Sequence, residues 1–314
     1  MFRIPFPAEP RHSDHRPSLA AGLCDSCDPM TDASPANAAQ IDYWNAMAGG
    51  TWAELQAQLD RQLEPMGARA MEGFNAKPGE RVLDIGCGCG QTTLALAQQV
   101  GPLGAVTGVD VSKAMLEVAR GRAAPAGSAR PSFVEVDAQT GDLGQGVFDG
   151  AFSRFGVMFF ADPVAAFANI GRSLKPRGRL TFVCWRPYEE NLWMRTPAEA
   201  AASLLPAQSA AMAPDPLAPG PFAFSDPVRV WDILENAGFQ AIEIRPFNAP
   251  IGGGNLDETV ALAMRVGPLG GAMRENPRLA KPIAAAVRAS LATHETPGGV
   301  MLRGSVWIMR AIWP

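Results

Sequence analysis

Between residues 81 and 185 the sequence alternates short apolar runs with segments of helical spacing. The runs are RVLDIG, AVTGVD, PSFVEVD, FDGAFSR and RLTFVCW, and the helical segments among them include QTTLALAQQV, SKAMLEVARGRAA and DPVAAFANIGRSL. Strands that are apolar throughout and alternate with helices are typical of a parallel sheet that is covered on both faces. The sequence therefore predicts an α/β fold with a doubly wound, mostly parallel sheet.

The segment before this pattern divides into two parts. Residues 1–36 are rich in Pro, Ser, Asp and Ala without an apolar period, which predicts a mobile extension. Residues 37–80 have apolar residues at helical spacing, so we expect two or three helices that form an N-terminal cap. Glycines at Gly49–Gly50 and the Pro65–Met66–Gly67 stretch predict breaks between these helices.

The segment after the fifth run is less regular. Residues 81–314 are expected to form the main domain, but residues 186–225 are dense in Pro and Ala and contain no clear strand. A long insertion of this kind often forms a lid or a wall of a substrate site. A final apolar run, GSVWIMRAIWP, predicts a last strand at the edge of the sheet.

Charge and cysteine content exclude several classes of function. The net charge is −4 and no stripe of Lys and Arg is visible, which argues against nucleic acid. No apolar stretch approaches the roughly 20 residues that span a bilayer, and without a secretory signal we expect a cytoplasmic protein with no membrane insertion. Cys24 and Cys27 have the spacing of a metal knuckle, but no second pair completes the ligands, so we predict no metal and no disulfide framework.

The turn after the first run predicts a ligand site. The run ends at Asp84, and Gly86, Gly88 and Gly90 lead into a helix. In open α/β sheets ligands lie at the carboxyl ends of the strands, and glycines let a ligand approach the backbone closely. Asp110 ends the second run, where an acid can accept hydrogen bonds from ribose hydroxyls. Both NAD and S-adenosylmethionine fit this arrangement, because both carry an adenosine.

Three details favour S-adenosylmethionine over NAD. The dinucleotide fingerprint is G-x-G-x-x-G, but Gln91 occupies the place of its third glycine. Asp84 brings negative charge close to the turn, which disfavours a pyrophosphate and suits the ammonium group of a methionine moiety. Asp137 ends the third run, where its carboxylate could accept a hydrogen bond from the adenine amino group.

These segments resemble the motifs of the class I S-adenosylmethionine-dependent methyltransferases. VLDIGCGCG is similar to the first motif, VTGVDVSKAML to the second, VEVDAQ to the third, and FDGAFSRFGVMFFADPVAAFANIGRSLKPRGRLTFVCW to the fourth and fifth. The resemblance covers roughly residues 38–314 and leans toward the small-molecule branch with the ubiquinone- and menaquinone-biosynthesis enzymes. It implies a seven-stranded Rossmann-like sheet with an N-terminal helical cap and an insertion after strand 5.

The resemblance also implies roles for individual residues. The glycine loop would hold the methionine moiety, Asp110 the ribose, and Asp137 with Ala138 the adenine, on which Met115 would pack. Aromatic faces attract cations, so Tyr43, Trp44 and Trp52 either cover the sulfonium or only pack the cap. The predicted cofactor-binding set is Asp84, Gly86, Cys87, Gly88, Gly90, Asp110, Val111, Met115, Asp137, Ala138, Ser153, Tyr43 and Trp44. The predicted substrate-binding set is Arg154, Phe155, Trp185, Trp193 and Phe222, with Phe224 as a further wall residue.

Methyl transfer from a sulfonium demands little acid–base chemistry. The protein mainly aligns the reacting groups and excludes water, and a base helps only for acceptors such as a hydroxyl. His294 and Glu189, with the adjacent Glu190, are weak candidates for a base, and Arg154 either binds an anionic group or forms a structural salt bridge. The predicted function is methyl transfer to a small molecule. An NAD-dependent oxidoreductase and a non-catalytic S-adenosylmethionine-binding protein remain alternatives, and the oligomeric state is open.

Overall fold

A computed structural model describes residues 37–207 and 217–314. The predicted mobile extension at residues 1–36 lies outside the described residues, and so does the Cys24–Cys27 pair.

The N-terminal cap consists of helices that follow one another almost without interruption. They are α1 (Ala38–Tyr43), a π-helical segment (Trp44–Ala48), α2 (Gly49–Glu54) and α3 (Gln56–Phe74). The predicted break near Pro65 is wrong, because α3 continues through this residue. Proline removes one backbone hydrogen bond from a helix, but α3 buries an apolar face that includes Leu63, Met66 and Phe74, and this burial offsets the loss.

The predicted doubly wound, mostly parallel Rossmann-like sheet is confirmed. The strands are β1 (Arg81–Ile85), β2 (Ala105–Asp110), β3 (Ser132–Glu135), β4 (Phe148–Arg154), β5 (Leu174–Trp185), β6 (Gln240–Gly254), β7 (Glu295–Thr296) and β8 (Gly299–Ile312). Their order is β3-β2-β1-β4-β5-β8-β6, with the two-residue β7 paired to β8. The first five strands are parallel, and β8 runs antiparallel to both β5 and β6.

The C-terminal strand does not lie where the sequence predicted it. We expected an edge strand, but β8 lies between β5 and β6. Its side chains are buried on both faces, as Val306 and Met309 show, which is typical of an interior strand. The edge is β6, which carries Pro246 and Pro250. Proline suits an edge strand, because the side that faces away from the sheet needs no hydrogen-bond donor.

Helices cover both faces of the sheet and extend beyond it. They are α4 (Gln91–Val100), α5 (Lys113–Gly121), α6 (Pro163–Ser173), α7 (Leu192–Ala202), α8 (Pro227–Asn236), α9 (Leu256–Ala263), α10 (Gly267–Glu275) and α11 (Ala280–Ala292). Apolar side chains of the sheet and its flanking helices, such as Leu83, Phe152, Phe167 and Phe182, form the main core. No helix in the described ranges combines the length and the apolarity needed to cross a bilayer.

A second hydrophobic core lies in a helical layer that we call the helical roof, formed by α7, α9, α10 and α11. Ala201, Leu269, Ile283 and Leu291 are buried there, together with Val300 of β8. The predicted insertion at residues 186–225 contains a regular helix, α7, which belongs to the roof. The rest of the roof comes from the connection between β6 and β7.

Candidate active site

A cavity of about 560 Å³ opens at the carboxyl ends of β1, β2 and β4, under the N-terminal cap and the helical roof. Binding sites for small molecules have volumes of about 300–1,000 Å³, so the size suits a ligand of this class. The glycine loop and the ends of β2 and β3 line one part of the cavity. Aromatic side chains and α10 line the other part.

The glycine loop keeps its shape through close backbone contacts. Gly86 has a φ of 64°, and a Cβ on this residue would lie 2.6 Å from the Cα of Gly156. Ser153 donates a hydrogen bond from its hydroxyl to the carbonyl of Ile85 at 2.7 Å. Ser153 does not line the cavity, so the structure places it behind the loop rather than against a cofactor.

Asp84 also lies behind the loop, contrary to the expectation that it meets the ammonium group of a ligand. The side chain is fully buried, and one carboxylate oxygen accepts hydrogen bonds from the hydroxyls of Thr92 and Thr93 at 2.7 and 2.6 Å. Burial raises the pKa of Asp84 to about 6, although the two hydroxyls oppose this shift. Neither Asp84 nor Gly90 lines the cavity. Because the threonines of α4 reach back to it, Asp84 fixes the start of that helix under the loop.

The other two strand-end acids do line the cavity. Asp110 is 8% exposed, and its carboxylate accepts hydrogen bonds from the backbone N–H groups of Gly88 and Ser112, both at 2.8 Å. Burial raises the pKa of Asp110. Asp137 accepts a hydrogen bond from the backbone N–H of Gln139 at 3.0 Å. Further predicted cofactor residues line the same part of the cavity: Gly86, Cys87, Gly88, Val111, Met115 and Ala138.

The N-terminal cap brings aromatic side chains over these strand ends. Tyr43, Trp44 and Trp52 line the cavity, and the rings of Trp44 and Trp52 meet edge to face at 5.8 Å. The side chain of Asn45 anchors this segment, because it donates a hydrogen bond to the carbonyl of Val111 at 2.9 Å. The end of β2 thus fixes the position of the aromatic cover.

Arg154 belongs to a buried charge network that ties α3 to the glycine loop. Its guanidinium donates a hydrogen bond to Gln91 and lies 3.8 Å from the carboxylate of Asp60. Asp60 also pairs with Arg122 at 2.9 Å, and Arg122 donates a hydrogen bond to the carbonyl of Cys89 at 2.9 Å. Arg154 lines the cavity, but Gln91 and the carboxylate that Asp60 shares with Arg122 hold its guanidinium. This geometry favours the structural salt bridge over an anion site.

An aromatic wall, which we define as Phe155, Trp185, Trp193 and Phe222, forms another side of the cavity. The rings of Phe155 and Trp185 stack with centroids 4.1 Å apart, and Trp193 lies 5.0 Å from Trp185. Phe155 has a φ of 64°, a conformation that costs energy for a residue with a Cβ and that clusters at functional sites. Phe224, the further wall residue that we expected, does not line the cavity and packs in the main core.

The candidate bases do not reach the cavity. His294 lies in the turn before β7, where its carbonyl accepts a hydrogen bond from the backbone N–H of Met301 at 3.1 Å. Glu189 is exposed, Glu190 pairs with Arg186 at 2.7 Å, and none of these side chains lines the cavity. Across the described residues, no three His, Cys, Asp or Glu side chains come together as metal ligands.

Sequence reasoning missed several polar residues of the cavity. They are Gln56, Asp60, Gln91, Arg265, Arg274 and Glu275. Most of them lie on α3 and α10 or beside these helices, which no local motif connects to the glycine loop. Helical spacing predicts that such segments are helices, but it does not predict which parts of the sheet they cover.

Comparison with known proteins identifies the domain around the glycine loop. Residues 82–178 match the family model described as "Methyltransferase domain". This part of the chain is therefore similar to methyltransferase domains. The matched range contains the loop, Asp110, Asp137 and Arg154, all of which contribute to the lining of the cavity.

Three curated relatives of the methyltransferase domain are methyltransferases by name. The aklanonic acid methyltransferase DauC of Streptomyces sp. (strain C5) is 37% identical over 118 residues, which cover 38% of this chain and 54% of the relative. The O-methyltransferase cnsE of Penicillium expansum is 35% identical over 45% of this chain and 48% of its own length. A demethylmenaquinone methyltransferase of Staphylococcus aureus (strain JH9) is 36% identical over 35% of this chain and 45% of its own length. The chain spans about half the length of the curated relatives it matches.

Solved structures agree on the fold over most of the chain. A Bacillus halodurans protein is 21% identical with a TM-score of 0.51 and covers 79% of this chain and 98% of its own. The YcgJ protein from Bacillus subtilis is also 21% identical, with a TM-score of 0.50 and coverage of 80% of this chain and 97% of its own. At this level of identity the likeness shows the fold alone, and it extends beyond residues 82–178.

Proposed function

We propose that the protein transfers a methyl group from S-adenosylmethionine to a small-molecule acceptor. One observation carries this proposal: the cavity joins the glycine loop, Asp110 and Asp137 to a second space walled by aromatic side chains. A methyltransferase needs this arrangement, because donor and acceptor must meet in line inside one site that excludes water.

We propose that the first part of the cavity holds the cofactor. The carboxylate of Asp110 would accept hydrogen bonds from the ribose hydroxyls, and Asp137 with Ala138 would contact the adenine. Val111 and Met115 offer an apolar surface for the adenine ring between these acids. A Cβ on Gly88 would lie 3.6 Å from the sulfur of Met115, so the bare glycine leaves space for the ligand there.

The remaining residues would position the acceptor. The sulfonium of the cofactor supplies a methyl group that is already activated, so the protein needs no strong acid or base of its own. Trp44 and Trp52 would cover the reacting groups, and their faces favour a cation. The aromatic wall would orient an apolar acceptor. Among the described residues no His side chain lines the cavity, and the acidic groups in its cofactor part accept backbone hydrogen bonds, so we propose catalysis mainly by positioning.

The two alternative functions gain no support from the relatives, which are methyltransferases by name. Gln91, which stands where a dinucleotide site would have its third glycine, is held by its side chain against Asp60 and Arg154. Gln91 therefore stabilises the contact between α3 and the glycine loop.

Thermal unfolding with added ligand tests this proposal, because a ligand that binds the folded state raises the melting temperature. We expect S-adenosylmethionine and S-adenosylhomocysteine to raise it and NAD to leave it unchanged. An acceptor panel should then give acceptor-dependent release of S-adenosylhomocysteine. A shift with NAD alone would support the oxidoreductase, and cofactor binding without release across the panel would support a binding protein.

A further inference from the structure

Two glycines and an arginine of α10 in the helical roof line the cavity, beside Pro268, Ala272 and Glu275 of the same helix. Gly267, Gly271 and Arg274 are spaced i, i+4 and i+7, so they lie on the same side of the helix, and all three line the cavity. A Cβ on Gly271 would lie 3.7 Å from a terminal nitrogen of Arg274. The guanidinium therefore lies back along the helix over the bare glycine.

Arg274 is exposed, and no acidic side chain among residues 37–207 and 217–314 forms an ion pair with it. Arg265, the neighbouring arginine of the cavity, pairs with Glu54 at 2.8 Å, and Arg154 pairs with Asp60. Arg274 has no ion pair or hydrogen bond within the part of the chain that the structure describes. Glu275 also lines the cavity and is engaged in an interaction of its own. Arg274 thus offers five N–H donors to whatever enters the cavity.

The side of α10 that carries these glycines continues into the aromatic wall. A Cβ on Gly267 would lie 3.7 Å from the Cγ of Met194, the residue that follows Trp193 in α7. Trp193 contacts Trp185, which stacks on Phe155. A flat apolar molecule that lies on this wall would therefore reach the space over the glycines of α10, where Arg274 lies.

We propose that Arg274 selects acceptors that carry an anionic group, such as a carboxylate, on a planar ring system. The ring would lie on the aromatic wall, and the anionic group would form a charge-assisted, bidentate pair with the guanidinium. This group would be distinct from the atom that receives the methyl, because pairing with an arginine weakens a nucleophile. The inference rests on the proposed function, since it assigns the second part of the cavity to the acceptor.

Matched ligands and matched variants test this role. With S-adenosylhomocysteine at saturation, isothermal titration calorimetry would compare benzoate, naphthoate and anthracene carboxylate with their neutral amides. We expect at least one carboxylate to bind about tenfold more tightly than its amide. Arg274→Gln should remove this preference, and Arg274→Lys should keep part of it. Arg278→Gln changes an exposed arginine that does not line the cavity and should leave the preference intact.

Three results would overturn the inference while S-adenosylhomocysteine still binds. They are equal affinity of wild-type protein for every acid and its amide, an unchanged preference in Arg274→Gln, and no binding of any carboxylate. The affinity of each variant for S-adenosylhomocysteine reports its folding, and we expect it to equal that of the wild type. If S-adenosylhomocysteine does not bind the wild-type protein, the proposed function itself fails.

Discussion

Gly86 shows how a single residue shapes the loop at the strand ends. It combines a φ of 64° with a backbone contact to Gly156, so a side chain would meet both an unfavourable conformation and an occupied space. Gly79 has a φ of 86° but no atom within 4 Å of the position that a Cβ would occupy. A substitution there would therefore incur only the cost of the left-handed backbone conformation. The two glycines separate strain from close packing.

We expect Gly79→Ala to lower the free energy of unfolding by about 1 kcal/mol, the cost of a left-handed residue with a Cβ. Gly86→Ala should lower it by more than about 3 kcal/mol, because the loop must also move away from Gly156. Urea denaturation measures both. Equal losses in the two variants would show that the contact with Gly156 has no energetic weight.

Asp84 makes the stability of the protein depend on pH. Its pKa is about 6 in the folded state and 3.8 in the unfolded state, so the folded state binds more protons between about pH 4 and pH 6. The contribution of Asp84 to stability therefore falls as the pH rises through this window, by up to about 3 kcal/mol. Comparison of unfolding free energies at about pH 4 and about pH 7 should show a larger loss for the wild type than for Asp84→Asn. The same pH dependence in both proteins would contradict this role.

The sequence predicts the residues of the loop better than their orientation. The ends of the apolar runs correctly indicate that Asp110 and Asp137 lie at the carboxyl ends of neighbouring strands. The same rule predicts a ligand-facing Asp84, but Thr92 and Thr93 bind its carboxylate from behind the loop. Threonine in a helix gives no sequence signal for such a partner, so this misplacement could not be foreseen.

At the scale of elements, the N-terminal cap and the helical roof meet over the cavity, although they come from distant parts of the sequence. Leu55 and Leu59 of the N-terminal cap form a small buried cluster with Leu262 of α9. A salt bridge between Arg265 and Glu54 joins the N-terminal cap to the segment between α9 and α10 of the helical roof. The cover of the cavity therefore depends on contacts between segments that are about two hundred residues apart.

We expect Leu262→Ala to destabilise the N-terminal cap and the helical roof together. Removing a buried leucine side chain typically costs about 2–5 kcal/mol, and here the lost contacts are those between α9 and the N-terminal cap. We expect faster hydrogen exchange in α2, the start of α3 and α9, and weaker binding of S-adenosylmethionine. Leu103→Ala, at a side chain that is 90% exposed, serves as the control and should change neither. Faster exchange in α9 alone would show that the N-terminal cap and the helical roof move independently.

The elements of the sheet were predictable because each buried strand has its own apolar run. The order of the strands was less predictable. The apolar run of β8 fits an edge strand and an interior strand equally well until its neighbours are known. The helical roof was harder to predict, because α10 and α11 follow β6 in sequence but contact α7, which follows β5. Long-range packing of this kind leaves no local pattern.

At the scale of the whole molecule, the sheet contributes different residues to the cavity from those of the N-terminal cap and the helical roof. The sheet end brings the glycine loop, Asp110 and Asp137 together, and the match at residues 82–178 covers this part. The N-terminal cap and the helical roof close the cavity with residues that lie outside this match, such as Trp52, Trp193 and Arg274. On the proposed function, the sheet end would hold the cofactor, and the N-terminal cap and the helical roof would cover it and add the wall for the acceptor.

The most direct test of this account is the affinity of the protein for S-adenosylmethionine, measured by isothermal titration calorimetry before and after Asp110→Asn. Loss of a charged acceptor at the ribose should weaken binding at least about tenfold. Asp232→Asn, at an exposed position of α8 outside the cavity, should bind like the wild type. Equal affinity of wild type and Asp110→Asn would contradict a cofactor site at these strand ends.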